Sequence, residues 1–113
     1  MSAMVKVSVI IPVYNVAPYL GECLDSVIQQ SLTDIEIICI DDCSTDDSLQ
    51  LLQKYAVSDS RIRILCNDKN RDVSATRSRG IREAVGKYIF FMDSDDTFFS
   101  NNALESLYDV AIT

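Results

Sequence analysis

The chain has 113 residues, 48% hydrophobic and 24% charged, enough for one domain with a real core. Seventeen acids against ten bases give a net charge of −7, and the bases form no stripe, which argues against nucleic acid or an anionic membrane surface as partner. There is no histidine, and the four cysteines form no Cys-x-x-Cys pair, so His-activated nucleophiles, a zinc site and a disulfide framework are set aside.

The N-terminus, Met1-Ser2-Ala3-Met4-Val5-Lys6, lacks the layout of a secretory signal. No apolar run approaches the roughly 18 residues of a membrane span. A cytoplasmic protein is expected, held at most to the inner face of a membrane through a partner or a further segment. Val5 to Val13 reads as the first strand, stopped by Pro12, which has no N–H for the ladder. Pro18 to Gln30 carries Leu20, Cys23, Leu24, Val27 and Ile28 at helical spacing, with proline tolerated in the first turn. Ile35 to Ile40 is a second buried strand, and it ends in Asp41-Asp42. Ser44-Thr45-Asp46-Asp47 offers capping chemistry for a helix reaching about Val57, its inner face formed by Leu49, Leu52 and Ala56.

Arg61 to Cys66 alternates, which predicts a half-exposed edge strand. After the polar loop 67–73, Ser74 to Val85 reads as a helix with Ile81, Ala84 and Val85 inward and Gly86 as its stop. Tyr88 to Met92 is an unbroken apolar run and predicts a buried central strand beside Val7–Ile11. A last helix spans about Asn102 to Ala111, striped by Leu104, Leu107, Tyr108 and Ala111. This β-α-β-α-β-α-β-α order predicts an α/β fold: a doubly wound, mostly parallel sheet with helices on both faces.

In such sheets ligands bind beyond the carboxyl ends of the strands, where strand order reverses. Pro12-Val13-Tyr14, Asp41-Asp42 and Asp93-Ser94-Asp95-Asp96 should therefore converge, although they are distant in sequence. Carboxylates crowded into Asp93-Ser94-Asp95-Asp96 repel one another, and a cation among them relieves that repulsion. Their hard oxygen donors suit Mg2+ or Mn2+ rather than zinc. The plainer reading of the same turn is a solvated acidic cap on the following helix. A Walker B aspartate is ruled out because no GxxxxGK[ST] is present. A phosphoacceptor of the receiver type is disfavoured, since its usual later lysine cannot be placed. The remaining class is a nucleotide-sugar site, where a divalent ion bridges carboxylate and diphosphate.

The ordered residues Val7-Ser8-Val9-Ile10-Ile11-Pro12-Val13-Tyr14-Asn15, Tyr19-Leu20, Cys23-Leu24-Asp25-Ser26-Val27, Gln30-Ser31, Ile35 to Ser44, Arg77, Gly80-Ile81, Ala84, Gly86-Lys87-Tyr88-Ile89 and Asp93-Ser94-Asp95-Asp96 carry a more specific likeness. Together they resemble the N-terminal, nucleotide-binding half of a family 2 glycosyltransferase of GT-A fold. The resemblance implies that Pro12, Val13 and Tyr14 form the wall for a nucleobase. It implies that Asp42 accepts a hydrogen bond from the base, that Asp41 braces the strand end, and that Arg77 lines the nucleotide pocket. Asp93 and Ser94 would reach the ribose and metal region, and Asp93 and Asp95 would ligate Mg2+ or Mn2+. The implied donor is a nucleoside-diphosphate sugar, most simply a UDP-sugar, transferred with inversion to an acceptor glycan or lipid-linked sugar.

Two departures stand out. The loop Asn70-Arg71-Asp72-Val73-Ser74-Ala75-Thr76-Arg77-Ser78 has Asp72, Thr76 and Ser78 where such enzymes usually carry Gly, Ala and Asn, so it is expected to sit differently. The family's acceptor half and catalytic base would lie beyond Thr113. Residues 1–113 are thus expected to be one donor-binding domain, truncated relative to the full transferase. The alternative is a nucleotide-binding or interaction module without turnover, and in either case self-association through an exposed sheet edge is expected.

Overall fold

The computed structural model describes residues 4–113. The reading of Met1-Ser2-Ala3 lies outside the described residues. Four strands and four helices alternate: β1 (Val7–Val13), α1 (Ala17–Ile28), β2 (Ile35–Asp41), α2 (Ser48–Ser58), β3 (Ile62–Cys66), α3 (Val73–Glu83), β4 (Tyr88–Phe91) and α4 (Ala103–Ile112). The sheet has the order β3-β2-β1-β4, with every neighbouring pair parallel. The chain steps outward from β1 through β2 to β3, then returns to the opposite side of β1 as β4. The reversal point, where a ligand crevice is expected, therefore lies between β1 and β4.

Strands β1 and β2 are buried on both faces because helices cover both. On one face Val9, Ile11 and Val13 of β1 and Ile37 and Cys39 of β2 meet Leu20, Leu24 and Val27 of α1, Leu52 of α2 and Leu104 of α4. On the other, Ile10, Ile38 and Ile40 lie under α3. Each fully buried Val, Ile or Leu contributes roughly 1.5–3 kcal/mol, so these two central strands hold most of the core. Gln30 at the end of α1 is buried and locks α4 in place. Its Nε2 donates to the Ser26 and Ser100 carbonyls, and its Oε1 accepts from Leu104 N at 2.9 Å.

Several expectations change. Tyr88–Met92 is adjacent to β1 and forms the exposed edge expected for self-association, yet the apolar run is not buried on both faces. Its side chains alternate, with Ile89 and Phe91 about two-fifths exposed. The reason is the reach of α3, which packs over β1 and β2 and leaves that face of β4 bare. Helix α3 itself presents Thr76 and Gly80 inward, with Ala84 packed on the Ile10–Ile38–Ile40 cluster, while Ile81 and Val85 are exposed. Gly80 sits so close to the sheet that a Cβ there would lie 2.6 Å from Ile10 Cγ2, and the inner stripe follows small residues instead of large ones.

In α2, Leu52 is buried and Ala56 packs on the core, with Leu51 and Tyr55 beside them rather than Leu49. In α4, Leu104 and Tyr108 face the core, whereas Leu107 and Ala111 do not. The half-exposed edge predicted for residues 61–66 is found in β3.

Candidate functional site

The carboxyl ends of the strands come level through the register. Val13 of β1 pairs with Asp41 of β2, which pairs with Cys66 of β3. Asp42 N then donates to Val13 O at 2.8 Å, carrying the ladder one residue past β2. The loops above this edge are tied to each other. Asn15, in the left-handed region at φ 51°, accepts on Oδ1 from Thr45 N at 2.7 Å and from Asp46 N at 3.3 Å. Asp46 in turn accepts from Ser48 N and from Ala17 N. The expected capping residues 44–47 thus join two loops, and Asp47 at the cap position of α2 makes no side-chain cap bond.

Between the loop after β1, the 70–76 segment and the turn after β4 lies a cleft of about 340 Å3. Pro12, Val13, Tyr14, Asp42, Asp93, Ser94 and Asp95 all line it, so seven of the residues singled out from sequence meet at one place. Tyr14 is half exposed and Ser94 is buried. Asp42 is buried, and its Oδ1 accepts from Asn67 Nδ2 and from Arg71 N, both at 2.8 Å. Its Oδ2 accepts no hydrogen bond from the described residues.

Two predicted residues are not in the cleft. Asp41 is buried beneath it; Oδ2 accepts from Ser44 N at 3.2 Å and Oδ1 has no partner. It lies at the strand end and does not line the pocket, where a substrate-binding place was expected for it. Arg77 lies behind Asp93, donating from Nη2 to Asp93 Oδ1 at 3.0 Å with its Nε buried and unpartnered. Its role as a pocket wall is corrected: it faces the neighbouring surface formed by Phe91 and the 96–99 segment.

Beyond β4 the chain turns sharply, Asp96 N donating to Asp93 O. This brings one carboxylate oxygen from each of Asp93, Asp95 and Asp96 within 4.8 Å of the others. All three are exposed and offer only hard oxygen donors, the set a Mg2+- or Mn2+-sized ion requires. The Cys23 thiol points at Asp93 O from 3.6 Å. Burial, and then the charges of Asp96, Asp95 and Asp93, push its pKa up to about 12, so it stays a neutral thiol beneath the acids.

The structure adds Asn70, Asp72, Val73 and Thr76 to the cleft lining. Asn67, which donates to Asp42, also donates to Thr76 Oγ1 at 3.0 Å. These residues were visible only as a departing loop. The signal that would have found them is that β3 is also parallel, so its following loop must rise at the same edge. At Asp72, where glycine is usual, the backbone is extended, and the side chain caps α3 by accepting from Ala75 N at 2.7 Å. The loop needs no glycine here.

A family model described as glycosyl transferase family 2 matches residues 8–113. Among curated relatives, the uncharacterized glycosyltransferase EpsJ of Bacillus subtilis (strain 168) is 46% identical over 90 residues, which is 80% of this chain and 26% of that protein. The chain therefore spans about a quarter of that relative's length. S. aureus TarS 1–349, solved in complex with UDP, superposes with a TM-score of 0.82 at 32% identity, covering 92% of this chain and 31% of that one. The mannosyltransferase PcManGT from Pyrobaculum calidifontis, solved with GDP-Man and Mn2+, shares the fold at a TM-score of 0.84 and 22% identity, covering 97% and 32%. Sequence and fold agree over nearly the whole chain: it belongs to glycosyl transferase family 2.

Proposed function

We propose that residues 1–113 form the donor-binding domain of a glycosyltransferase that holds a nucleoside-diphosphate sugar, a UDP-sugar in the simplest case, through a divalent ion. The observation that carries this reading is the meeting of Asp42, Asp93 and Asp95 in one cleft walled by Pro12, Val13 and Tyr14, with Asp96 close to the latter two acids. The cleft has the volume of a small-ligand site. Tyr14 and Pro12 offer a flat apolar wall for a base, and Asp42 Oδ2 offers an acceptor for an imide N–H. Asp93 and Asp95, with Asp96 beside them, would hold Mg2+ or Mn2+; Ser94 and Asp93 would lie against the ribose. The ion supplies charge neutralisation at the diphosphate. TarS, at 32–34% identity, has been solved with UDP and with UDP-GlcNAc, which supports a uridine donor.

The balance of charge favours a metal. A diphosphate approaching Asp42, Asp93, Asp95 and Asp96 meets like charges throughout, each pair at about 4 Å costing roughly 4 kcal/mol at a surface-like dielectric. Stacking on Tyr14 cannot offset several such terms. In the whole protein the sugar would pass with inversion to a glycan or lipid-linked acceptor. The base for that step would be a carboxylate opposite the leaving diphosphate, and no acid in this cleft occupies such a place. Titration calorimetry of UDP with Mn2+ and with chelator tests the reading. Binding should require the ion, and Asp95→Asn should remove the metal-dependent part. Equal binding in chelator would return the turn to a solvated acidic cap. Release of UDP from a UDP-sugar separates a transferase from a module that only binds.

A further inference from the structure

On the far side of the 67–71 loop from the cleft, the charge changes sign. A groove of about 660 Å3 runs between the end of β3 and the outer face of α3, and Arg71, Arg79 and Arg82 all line it, as does Ser78. These are three of the six arginines in a chain of net charge −7. The one acid in the groove is Asp68, which pairs with Arg71 at 2.8 Å. Arg79 is fixed by neutral partners, donating from Nη1 to Cys66 O at 2.6 Å and to Asn67 Oδ1 at 3.0 Å. Its charge is thus oriented but not cancelled. Arg82 makes no hydrogen bond or ion pair with the described residues.

We propose that this groove is an anion site that takes a phosphate group, gripped by the Arg79 and Arg82 guanidiniums. Guanidinium forks match phosphate oxygens in pairs, and hydrogen bonds between two charged groups are among the stronger ones. The chain's overall negative charge does not oppose this, because acids more than about 8 Å away are screened at physiological ionic strength. The groove and the cleft have no lining residue in common, but hydrogen bonds join them. Asn67 accepts from Arg79 on one side and donates to Asp42 on the other, and Arg71 gives its backbone N–H to the same Asp42 oxygen. A phosphate here would lie one side chain from the acid placed to read the base. Two sources share this chemistry: a phosphomonoester on a small molecule and the phosphodiester of a polymer or lipid.

The test is titration of the 15N-labelled protein with inorganic phosphate and, separately, dimethyl phosphate, at constant ionic strength with chloride as the control. Saturable shifts at the Arg79 and Arg82 side-chain N–H signals and at the Asn67 amide are expected with phosphate and not with chloride. Arg82→Gln, which breaks no hydrogen bond or ion pair with the described residues, should weaken binding about tenfold, and Arg82→Lys should recover part of it. Comparable binding of dimethyl phosphate points to a diester source, and preference for inorganic phosphate points to a monoester. Shifts that chloride reproduces, or affinity unchanged in Arg82→Gln, overturn the proposal. UDP is absent from every arm, so failure here leaves the donor-site reading untouched.

Discussion

Arg77 donates from Nη2 to Asp93 Oδ1 at 3.0 Å, while its guanidinium lies 5.7 Å from the centre of the Phe91 ring. One residue of α3 thereby holds the first acid of the Asp93–Asp96 turn from outside the cleft. Both side chains are partly exposed, so the ion pair contributes only about 0–1 kcal/mol. A buried Nε without an acceptor costs about 1–3 kcal/mol. Arg77→Met should therefore leave the Tm unchanged or raise it by a few degrees. It should also tighten Mn2+ binding several-fold, because a cation about 6 Å from a divalent ion repels it by roughly 1 kcal/mol even in water. Electron paramagnetic resonance of free Mn2+ reads this directly, and weaker binding would make Arg77 a scaffold for Asp93 instead.

Two of the three glycines carry opposite predictions. A Cβ at Gly86 would lie 2.6 Å from Ser8 N and 2.9 Å from the Val7 carbonyl carbon, backbone that cannot move aside. Gly86→Ala should destabilise by at least the 1–3 kcal/mol typical of overpacking, about 3 kcal/mol. At Gly21, inside α1, the nearest atom is Tyr55 Oη at 3.4 Å, and alanine there should stabilise by up to about 1 kcal/mol through helix propensity. Urea denaturation of both variants measures the contrast. Similar effects at the two sites would mean the 86–88 turn lies further from β1.

Acid stability should depend on Glu36. This buried carboxylate sits at the amino-terminal edge of the sheet, opposite the cleft. It accepts from Ser8 Oγ, from Val85 N at 2.7 Å and from Arg63 Nη1 at 3.0 Å. Burial raises its pKa, but those hydrogen bonds and the Arg63 charge outweigh burial and hold it below the ordinary 4.5. The stabilisation is thus present above about pH 4.5 and is lost as pH falls through the lower folded value. Glu36→Gln should lower stability at pH 7 and flatten its fall in acid. A Tm-against-pH series with wild-type slope in the variant would assign that fall to other carboxylates.

The bare face of β4 should draw two copies together. Ile89 is 40% and Phe91 43% exposed, and Phe99 is almost fully so, along a strand with one unpaired edge. Such edges recruit strands and apolar patches. Sedimentation should show concentration-dependent association at micromolar protein, and Ile89→Lys with Phe99→Ser should return it to monomer. A wild-type chain that stays monomeric at high micromolar concentration would remove this edge from consideration.

The order of elements, the parallel sheet and the meeting of Pro12-Val13-Tyr14, Asp42 and Asp93-Ser94-Asp95 were legible in the sequence by itself. Each follows from local pattern: apolar runs ending in acids mark strand ends, and parallel strands put those ends on one edge. The tertiary structure decided what depends on distance between segments. Which helix covers which strand left one face of β4 bare, since α3 lies over β1 and β2. Close approach of Gly80 to Ile10 turned α3 so that Thr76 faces inward and Ile81 outward. The side on which Arg77 meets Asp93, and the linkage of Asn67 to Asp42 and Arg79, depend on residues brought together only when β3 and α3 pack, and no spacing along the chain encodes such contacts.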